Sequence, residues 1–340
     1  MIDGKYSLSN LMGIGGSSRV YSCVDINDNE EYAVKVIRKD KGYTDQVCTR
    51  LVEMEANTMV HLGEHPNLVN FVDANKSHCV YKKMNSMNNP NKKEYVTVAE
   101  EINYLVLEKC ENGALSKYVK TTGLFDELTT RFLFAQLCGA VNFMHSQEYV
   151  HLDIKLDNIL LDKYFNIKLA DLGIALCSRG TTHLLAHKRG TAKYMAPEVA
   201  NCDSKRPYNV YPADIYSLGV CLHLMLFGTY PIADSDSEMS TDEENDGSPK
   251  LKQDSSPRLD SSSCLIAAYL SEDCLDLLER MLSQDPSMRP TIEEIENHPW
   301  MSQEFPEQIG EIVYSELNER CNHIKSLVAD SSPSFSIDLD

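Results

Sequence analysis

The stretch HLDIKLDN, residues 151–158, sets two carboxylates, a lysine and a carboxamide within eight positions, with apolar residues between them. Such a run is either a solvated polar turn or a centre that holds phosphate and a cation, and the rest of the chain decides between the two. Leu152, between the histidine and the first aspartate, poses a second question, about control, because a side chain there with no charge cannot grip an anion.

The bulk numbers narrow the partners. A chain of 340 residues can bury a large core as two domains or one two-lobed unit, and 42% apolar with 24% charged residues is ordinary for a globular protein. A net charge of -19 argues against nucleic acid or an anionic membrane surface as a general partner, since both require basic patches. It leaves room for a small anionic ligand held by local lysines and glycines. Eleven cysteines without a CxxC pair point to neither a disulfide framework nor a zinc site. MIDGKYSLSN at the start lacks the basic and apolar regions of a signal peptide. LGVCLHLMLF at 218–227 is too short to span a bilayer and reads as a buried helix. These features lead to an expectation of no membrane span and a cytoplasmic or nuclear setting.

Residues 5–37 alternate around glycines (YSLSN, RVYSCVD, EYAVKVI), which suits antiparallel strands joined by tight turns. Val47, Leu51, Met54, Thr58 and Leu62 recur at helical spacing over 46–62. Strands are expected near NLVNFVD and YLVLEKC, with a long polar excursion at 83–94 between them. Beyond residue 112 the periodicity turns helical in TTRFLFAQLCGAVNFMHS, DIYSLGVCLHLMLFG and SEDCLDLLERMLSQ. Ser271 is a good N-cap, and Thr291 with Glu294 forms a candidate capping box. Residues 234–263 are acidic and nearly free of large apolar side chains, so a disordered insert is expected. A helix is expected from Pro306, with Ile309, Ile312, Val313, Leu317, Ile324 and Leu327 on one face, followed by a frayed tail.

Three further features give the polar run its context. GIGGSS at 13–18 is a glycine-rich turn of the kind that lets backbone N–H groups approach an anion. Ser18 stands where a dinucleotide-binding turn needs its third glycine, and RVYSCVD continues as a strand where that fold needs a helix. Lys35 lies on the next strand, with Glu55 or Glu53 as its acid partner on the following helix. ADLG at 170–173 offers a lone carboxylate, and magnesium takes one or two side-chain oxygens plus substrate phosphates. Asn158 and Asp171 would supply those oxygens, leaving Asp153 to orient a hydroxyl and accept its proton.

In order and approximate spacing, GIGGSSRV, AVK, Glu55, HLDIKLDN, DLG, GTAKYMAPE, DIYSLG and DPSMRP resemble the eukaryotic protein kinase family. Lys155 and the run GTAKY before Ala196-Pro197-Glu198 resemble its serine/threonine branch, and HPW at 298–300 resembles the calcium/calmodulin-regulated group. The resemblance implies an α+β bilobal fold over 6–301, with a β-rich small lobe (6–107), a hinge (108–112) and a mainly helical large lobe (113–301). Residues 302–340 would be a C-terminal helix and tail. It implies ATP and Mg2+ as ligands and Ser/Thr-bearing proteins as substrates. Gly13, Ile14, Gly15 and Gly16 would cover the phosphates, and Val20, Ala33 and Leu160 would pack on the adenine. Leu107 would gate the adenine pocket, with the backbone of Glu108 and Cys110 bonding the base. Lys35, held by Glu55, would bind the α- and β-phosphates. Asp153 would be the base, Lys155 would touch the transferred group, and Asn158 and Asp171 would ligate the metal. Asp214 would tie the catalytic loop to a buried helix and Glu198 would pair with Arg289.

Departures from the pattern carry their own expectations. Leu172 replaces the usual phenylalanine and would still stack with His151, Met59 and Phe71. Leu152 replaces an arginine that receives a loop phosphate in other members, so activity would not depend on that contact despite Ser178, Thr181 and Thr182. Asp157 implies a weak preference for a basic residue upstream of the target hydroxyl. The insert, with Ser248 and Ser256 before prolines, or the C-terminal helix would receive a regulatory partner. That helix would pack on the large lobe, and its acidic face argues against a calmodulin target. The rivals are a pseudokinase scaffold and a plain interaction module.

Overall fold

Alternation of apolar residues between tight turns builds the first hundred residues into one antiparallel sheet. The structure, a computed structural model, describes the chain except residues 17, 38, 40, 41, 85–94, 180–182, 232–264 and 332–340. Strands β1 (Tyr6–Ile14), β2 (Ser18–Asp25), β3 (Glu31–Ile37), β4 (Phe71–Met84) and β5 (Tyr95–Glu108) form the sheet in the order β1-β2-β3-β5-β4. Ile2 is fully buried and bridges to Tyr6 and Cys79, so residues ahead of β1 also pack into this sheet's core.

The β4–β5 hairpin is longer than the sequence pattern suggests. Lys83–Met84 and Tyr95 belong to its strands, and the remainder of the expected polar excursion, 85–94, lies outside the described residues. The strand expected at NLVNFVD begins only at Phe71. Before it, the Val69 N–H donates to the Leu169 carbonyl at 3.0 Å and the Leu169 N–H to the Asn67 carbonyl at 2.8 Å. That apolar run therefore serves contact between the lobes.

Helix α1 (Asp45–Leu62) is capped by Thr44 and stopped by Gly63. Its inner face is Cys48, Val52, Glu55, Met59 and Leu62, while Val47 and Met54 face solvent. The expected face is thus rotated by about one residue, because a buried charge pair at Glu55 outweighs the exposure of two apolar side chains.

The large lobe begins with β6 (Gly113–Ala114), α2 (Leu115–Thr122) and α3 (Glu127–Ser146). Short strands β7 (Tyr149–Val150), β8 (Ile159–Leu161), β9 (Ile167–Leu169), β10 (Leu176–Cys177) and β11 (Leu184–Leu185) follow, then α4 (Pro197–Ala200) and β12 (Tyr208–Asn209). Its centre is α5 (Val210–Phe227), which by length and composition alone is apolar enough to cross a membrane, yet is packed on nearly all sides by the core. An added Cβ at Gly219 would lie 3.0 Å from Met281, so this glycine lets α6 (Glu272–Met281) approach α5 closely. Ser271 caps α6, and the Thr291–Glu294 capping box opens α7 (Ile292–Glu296), as expected.

In HPW, His298 caps α8 (Pro299–Ser302) while buried Trp300 donates its Nε1–H to Glu127 at 2.8 Å. The last helix, α9 (Ile309–Ser331), packs on the large lobe through Ile309, Val313, Leu317, Cys321 and Ile324, and Arg320 donates to the carbonyls of Gly123 and Leu124 at 3.0 and 2.8 Å. Ile312 and Leu327 are exposed and off that face. Strict 3.6-residue periodicity gives this position to Cys321 instead. The acidic insert expected at 234–263 and the frayed tail lie outside the described residues. All described cysteines are free thiols.

Candidate active site

Cross-strand register places one set of side chains on a single face of the sheet. Val20 opposes Lys35, and Ala33 opposes Leu107. Residues two apart on a strand share a face, so Val20, Ala33, Lys35 and Leu107 line it together. From that face the Lys35 ammonium donates to both oxygens of Glu55 at 2.8 Å and to Asp171 Oδ1 at 2.7 Å. Glu53, the alternative partner, is exposed. Burial opposes the charge on Lys35, but the two carboxylates outweigh it and hold the ammonium protonated far above the usual range. Enclosure pushes the Glu55 carboxyl up, since it shares its one cation with a second acid. Enclosure also acts on Asp171, where Lys35 prevails and keeps the carboxyl below its usual value.

The catalytic-loop candidates form a second network. Lys155 donates to Asp153 Oδ2 at 2.6 Å and to Thr191 Oγ1 at 2.8 Å, and the Thr191 hydroxyl donates to Asp153 Oδ1 at 2.7 Å. Asn158 donates through its amide nitrogen to the Asp153 carbonyl at 2.9 Å and to Oδ2 at 3.2 Å, which turns its own oxygen away from Asp153. Beneath them, buried Asp214 accepts the N–H groups of His151 and Leu152, each at 2.8 Å, and pairs with His145 Nε2 at 3.1 Å. This anchor holds Leu152 at φ 65°, a left-handed conformation unusual for leucine. His151 Nδ1 accepts the Asp153 N–H, so its Nε2 carries the hydrogen donated to the Ala170 carbonyl at 3.0 Å. Leu172 lines a cavity of about 220 Å³ with Met59, Leu68 and Phe71, and the His151 ring is held by its backbone bonds.

Leu152 sits in an apolar cluster with Val150, Ala196, Val199, Tyr208, Val210 and Ala213, against which Leu176 and Leu185 of the following loop pack. Backbone pairing secures the same loop: β10 runs antiparallel to β7, and β11 to β12. Ser178 is fully buried, its hydroxyl bonded to the Glu148 carbonyl at 3.0 Å and to Tyr211 at 2.7 Å. Thr181 and Thr182 lie outside the described residues. Arg289 makes two bonds to Glu198 at 2.6 and 2.8 Å, as expected.

The family model for the protein kinase domain matches residues 6–301. The chain belongs to the eukaryotic protein kinase family. Its relatives place it in the serine/threonine branch. It is 30% identical over 312 residues to the cell cycle serine/threonine-protein kinase CDC5/MSD2 of Saccharomyces cerevisiae, covering 92% of this chain and 38% of that one. It is also 30% identical over 343 residues to the CBL-interacting protein kinase 5 of Oryza sativa subsp. japonica, covering 98% and 62%. To the sperm motility kinase 2B of Mus musculus it is 27% identical over 299 residues, covering 88% and 52%. The chain thus spans less than two thirds of the length of these relatives.

A protein kinase domain implies ATP and a divalent cation, and the residues present fit both. The Lys35–Glu55–Asp171 cluster sums to one negative charge, and the Asp171 side chain keeps 44% of its surface accessible with Oδ2 uncommitted among the described residues. That carboxylate and the Asn158 amide oxygen are hard donors of the kind magnesium takes beside phosphate oxygens. At the glycine turn, the Gly15 N–H closes the hairpin on the Ser18 carbonyl at 2.8 Å. Cβ atoms added at Gly13 or Gly16 would meet nothing within 4 Å, so the space over the turn is open. At the kinase hinge the Glu108 N–H is committed to the Asn70 carbonyl at 2.9 Å, which leaves the Glu108 carbonyl as that residue's group for a base. The Cys110 side chain is buried, and burial pushes its thiol up to about 12. Leu160 on β8, opposite Lys168 and Ala114, is half-buried, as are Val20 and Leu107. Ile14 is exposed at the tip of β1.

Two participants escaped sequence reasoning. Thr191 touches both Asp153 and Lys155, and the only signal was its place in GTAKY. Lys168 pairs with Glu108 at 2.7 Å and braces the hinge against β9; nothing in the local pattern marks it.

Proposed function

We propose that the chain is an active serine/threonine protein kinase that transfers the γ-phosphate of ATP, with Mg2+, to Ser/Thr hydroxyls of proteins. The observation that carries this reading is the fixed orientation of Asp153 by Lys155, Thr191 and Asn158, together with a closed Lys35–Glu55 pair. When bound, Mg-ATP supplies the phosphoryl group and the divalent charge that offsets its oxygens. Lys35, kept charged by two acids, would grip phosphate oxygens, and Asn158 and Asp171 would hold the cation. Asp153 would accept the proton of the incoming hydroxyl at Oδ1, whose one donor among the described residues, the neutral Thr191 hydroxyl, leaves a lone pair free. Lys155, two residues on, carries positive charge to the point where the transferred group develops negative charge. Alignment and charge neutralisation are what this chemistry requires of a protein.

Loop order here rests on apolar packing around Leu152 and on two short strand pairs, so the active arrangement does not depend on a phosphate received at position 152. The test is γ-phosphate transfer from Mg-ATP to a generic serine peptide by the wild type, Asp153→Asn and Asp171→Ala. A kinase loses about two to four orders of magnitude in rate with either variant. A pseudokinase scaffold shows the same background in all three while still binding nucleotide.

A further inference from the structure

In a chain with 51 acidic and 32 basic residues, cations find carboxylates readily. Lys35, Lys39, Lys76, Lys168, Arg280 and Arg320 all do so. In the segment after Asp171 four cations do not. Its acids are already taken, Glu198 by Arg289 and Asp203 by Arg206, and Arg179 is taken by Glu148. Lys188, Arg189, Lys193 and Lys205 have no carboxylate partner among the described residues. Arg189 donates to the Ile174 carbonyl at 3.3 Å, and the exposed Lys193 ammonium stands 4.8 Å over the Tyr230 ring. Lys188 and Lys205 are exposed.

This positive rim adjoins the reacting group. Thr191 bonds to Asp153, and Arg189, Gly190 and Thr191 line one small cavity together with Leu152 and Asp153. Contact at Gly190 is so close that an added Cβ would fall 2.4 Å from the Leu152 carbonyl oxygen. Lys188 and Lys193 therefore sit two or three residues along the chain from groups that touch Asp153. A substrate whose hydroxyl reaches Asp153 has neighbouring residues within reach of this strip, since three extended residues cover about 10 Å. Asp157, the acid that alone would favour a basic flank, accepts the Ser116 hydroxyl at 2.7 Å and faces the Lys120 ammonium at 3.4 Å, so part of its charge is matched from within.

We propose that this rim selects protein substrates carrying aspartate or glutamate within about three positions of the target hydroxyl, the reverse of the basic preference that Asp157 alone suggests. The proposal rests on the kinase reading. Its test uses the full chain and three serine peptides of equal length, with flanks that are neutral, acidic or basic. Transfer to the neutral peptide reports on the kinase reading by itself, and peptide binding by fluorescence anisotropy reports on the rim whether or not transfer occurs. Two exposed ion pairs correspond to a preference of about 2- to 30-fold for the acidic over the basic peptide. The ratio should shrink toward unity in high salt, where such pairs are screened. K188E/K193E should reverse the preference and K188Q/K193Q should weaken it, with transfer to the neutral peptide unchanged in both. Equal or tighter binding of the basic peptide by the wild type, or a ratio that charge reversal leaves intact, overturns the proposal.

Discussion

Replacing Leu152 by arginine would install the residue that receives a loop phosphate in some kinases, and this structure gives a reason for it to fail. The leucine is 7% exposed among Val150, Ala196, Val199, Tyr208, Val210 and Ala213. Losing its burial removes about 1.5–3 kcal/mol. A guanidinium in its place must compete with the backbone N–H groups that already occupy both Asp214 oxygens. Part of that second cost is avoided if the arginine stem packs and its head reaches water. Together the two effects amount to about 3–5 kcal/mol, the range seen when a buried charge is left unpaired. At about 2–4 °C per kcal/mol for a large domain, L152R should melt about 6–20 °C below the wild type. Scanning calorimetry on phosphatase-treated samples reads this directly, and a peptide assay on the same samples should show an active wild type. Melting within a degree of the wild type would refute the packing argument. A wild type that is inert until its loop is phosphorylated would refute the claim that position 152 frees it from that requirement.

Two other expectations follow from the same geometry. Asp214→Ala orphans two buried N–H groups at about 1–3 kcal/mol each, partly offset by about 1–3 kcal/mol as Leu152 leaves its left-handed conformation, so urea titration should show a loss of about 1–3 kcal/mol, with Asp214→Asn intermediate. At the start of α1, hydrogen bonds from Lys76 and Lys39 hold the Asp45 carboxyl at about 2. Because this lies below the unfolded value of about 3.9, the network's contribution is fully present above that value and is lost as pH falls toward 2. Melting followed from pH 6 to 2 should therefore show Asp45→Asn and wild type converging only at the acid end. A constant gap down to pH 2 would exclude the assignment.

The fold was legible wherever residue type and local spacing carry the physics. Alternation around glycines gave the sheet, Thr291 and Glu294 gave a helix start, and the need for hard oxygen donors named Asn158 and Asp171 as candidate ligands. Local pattern failed where tertiary contact decides. The face of α1 is set by Glu55 reaching Lys35 across the fold, not by the apolar count that favoured Val47 and Met54. The Asn67–Val69 run alternates like a strand but bonds to Leu169 from the other lobe. On α9, Cys321 packs as an aliphatic side chain does, while Ile312 and Leu327 face outward. Thr191 was invisible because a threonine in a loop has no signature until the aspartate it bonds is placed beside it.

The buried hydroxyl of Ser178 gives the loop a memory. It lies beneath Tyr211, one residue past the pairing of Cys177 with Tyr149. No modifying enzyme can reach that oxygen while the two short strands stay zipped. A phosphate detected at this serine would thus be a chemical record that the segment had peeled away, and its stoichiometry would count how often it does.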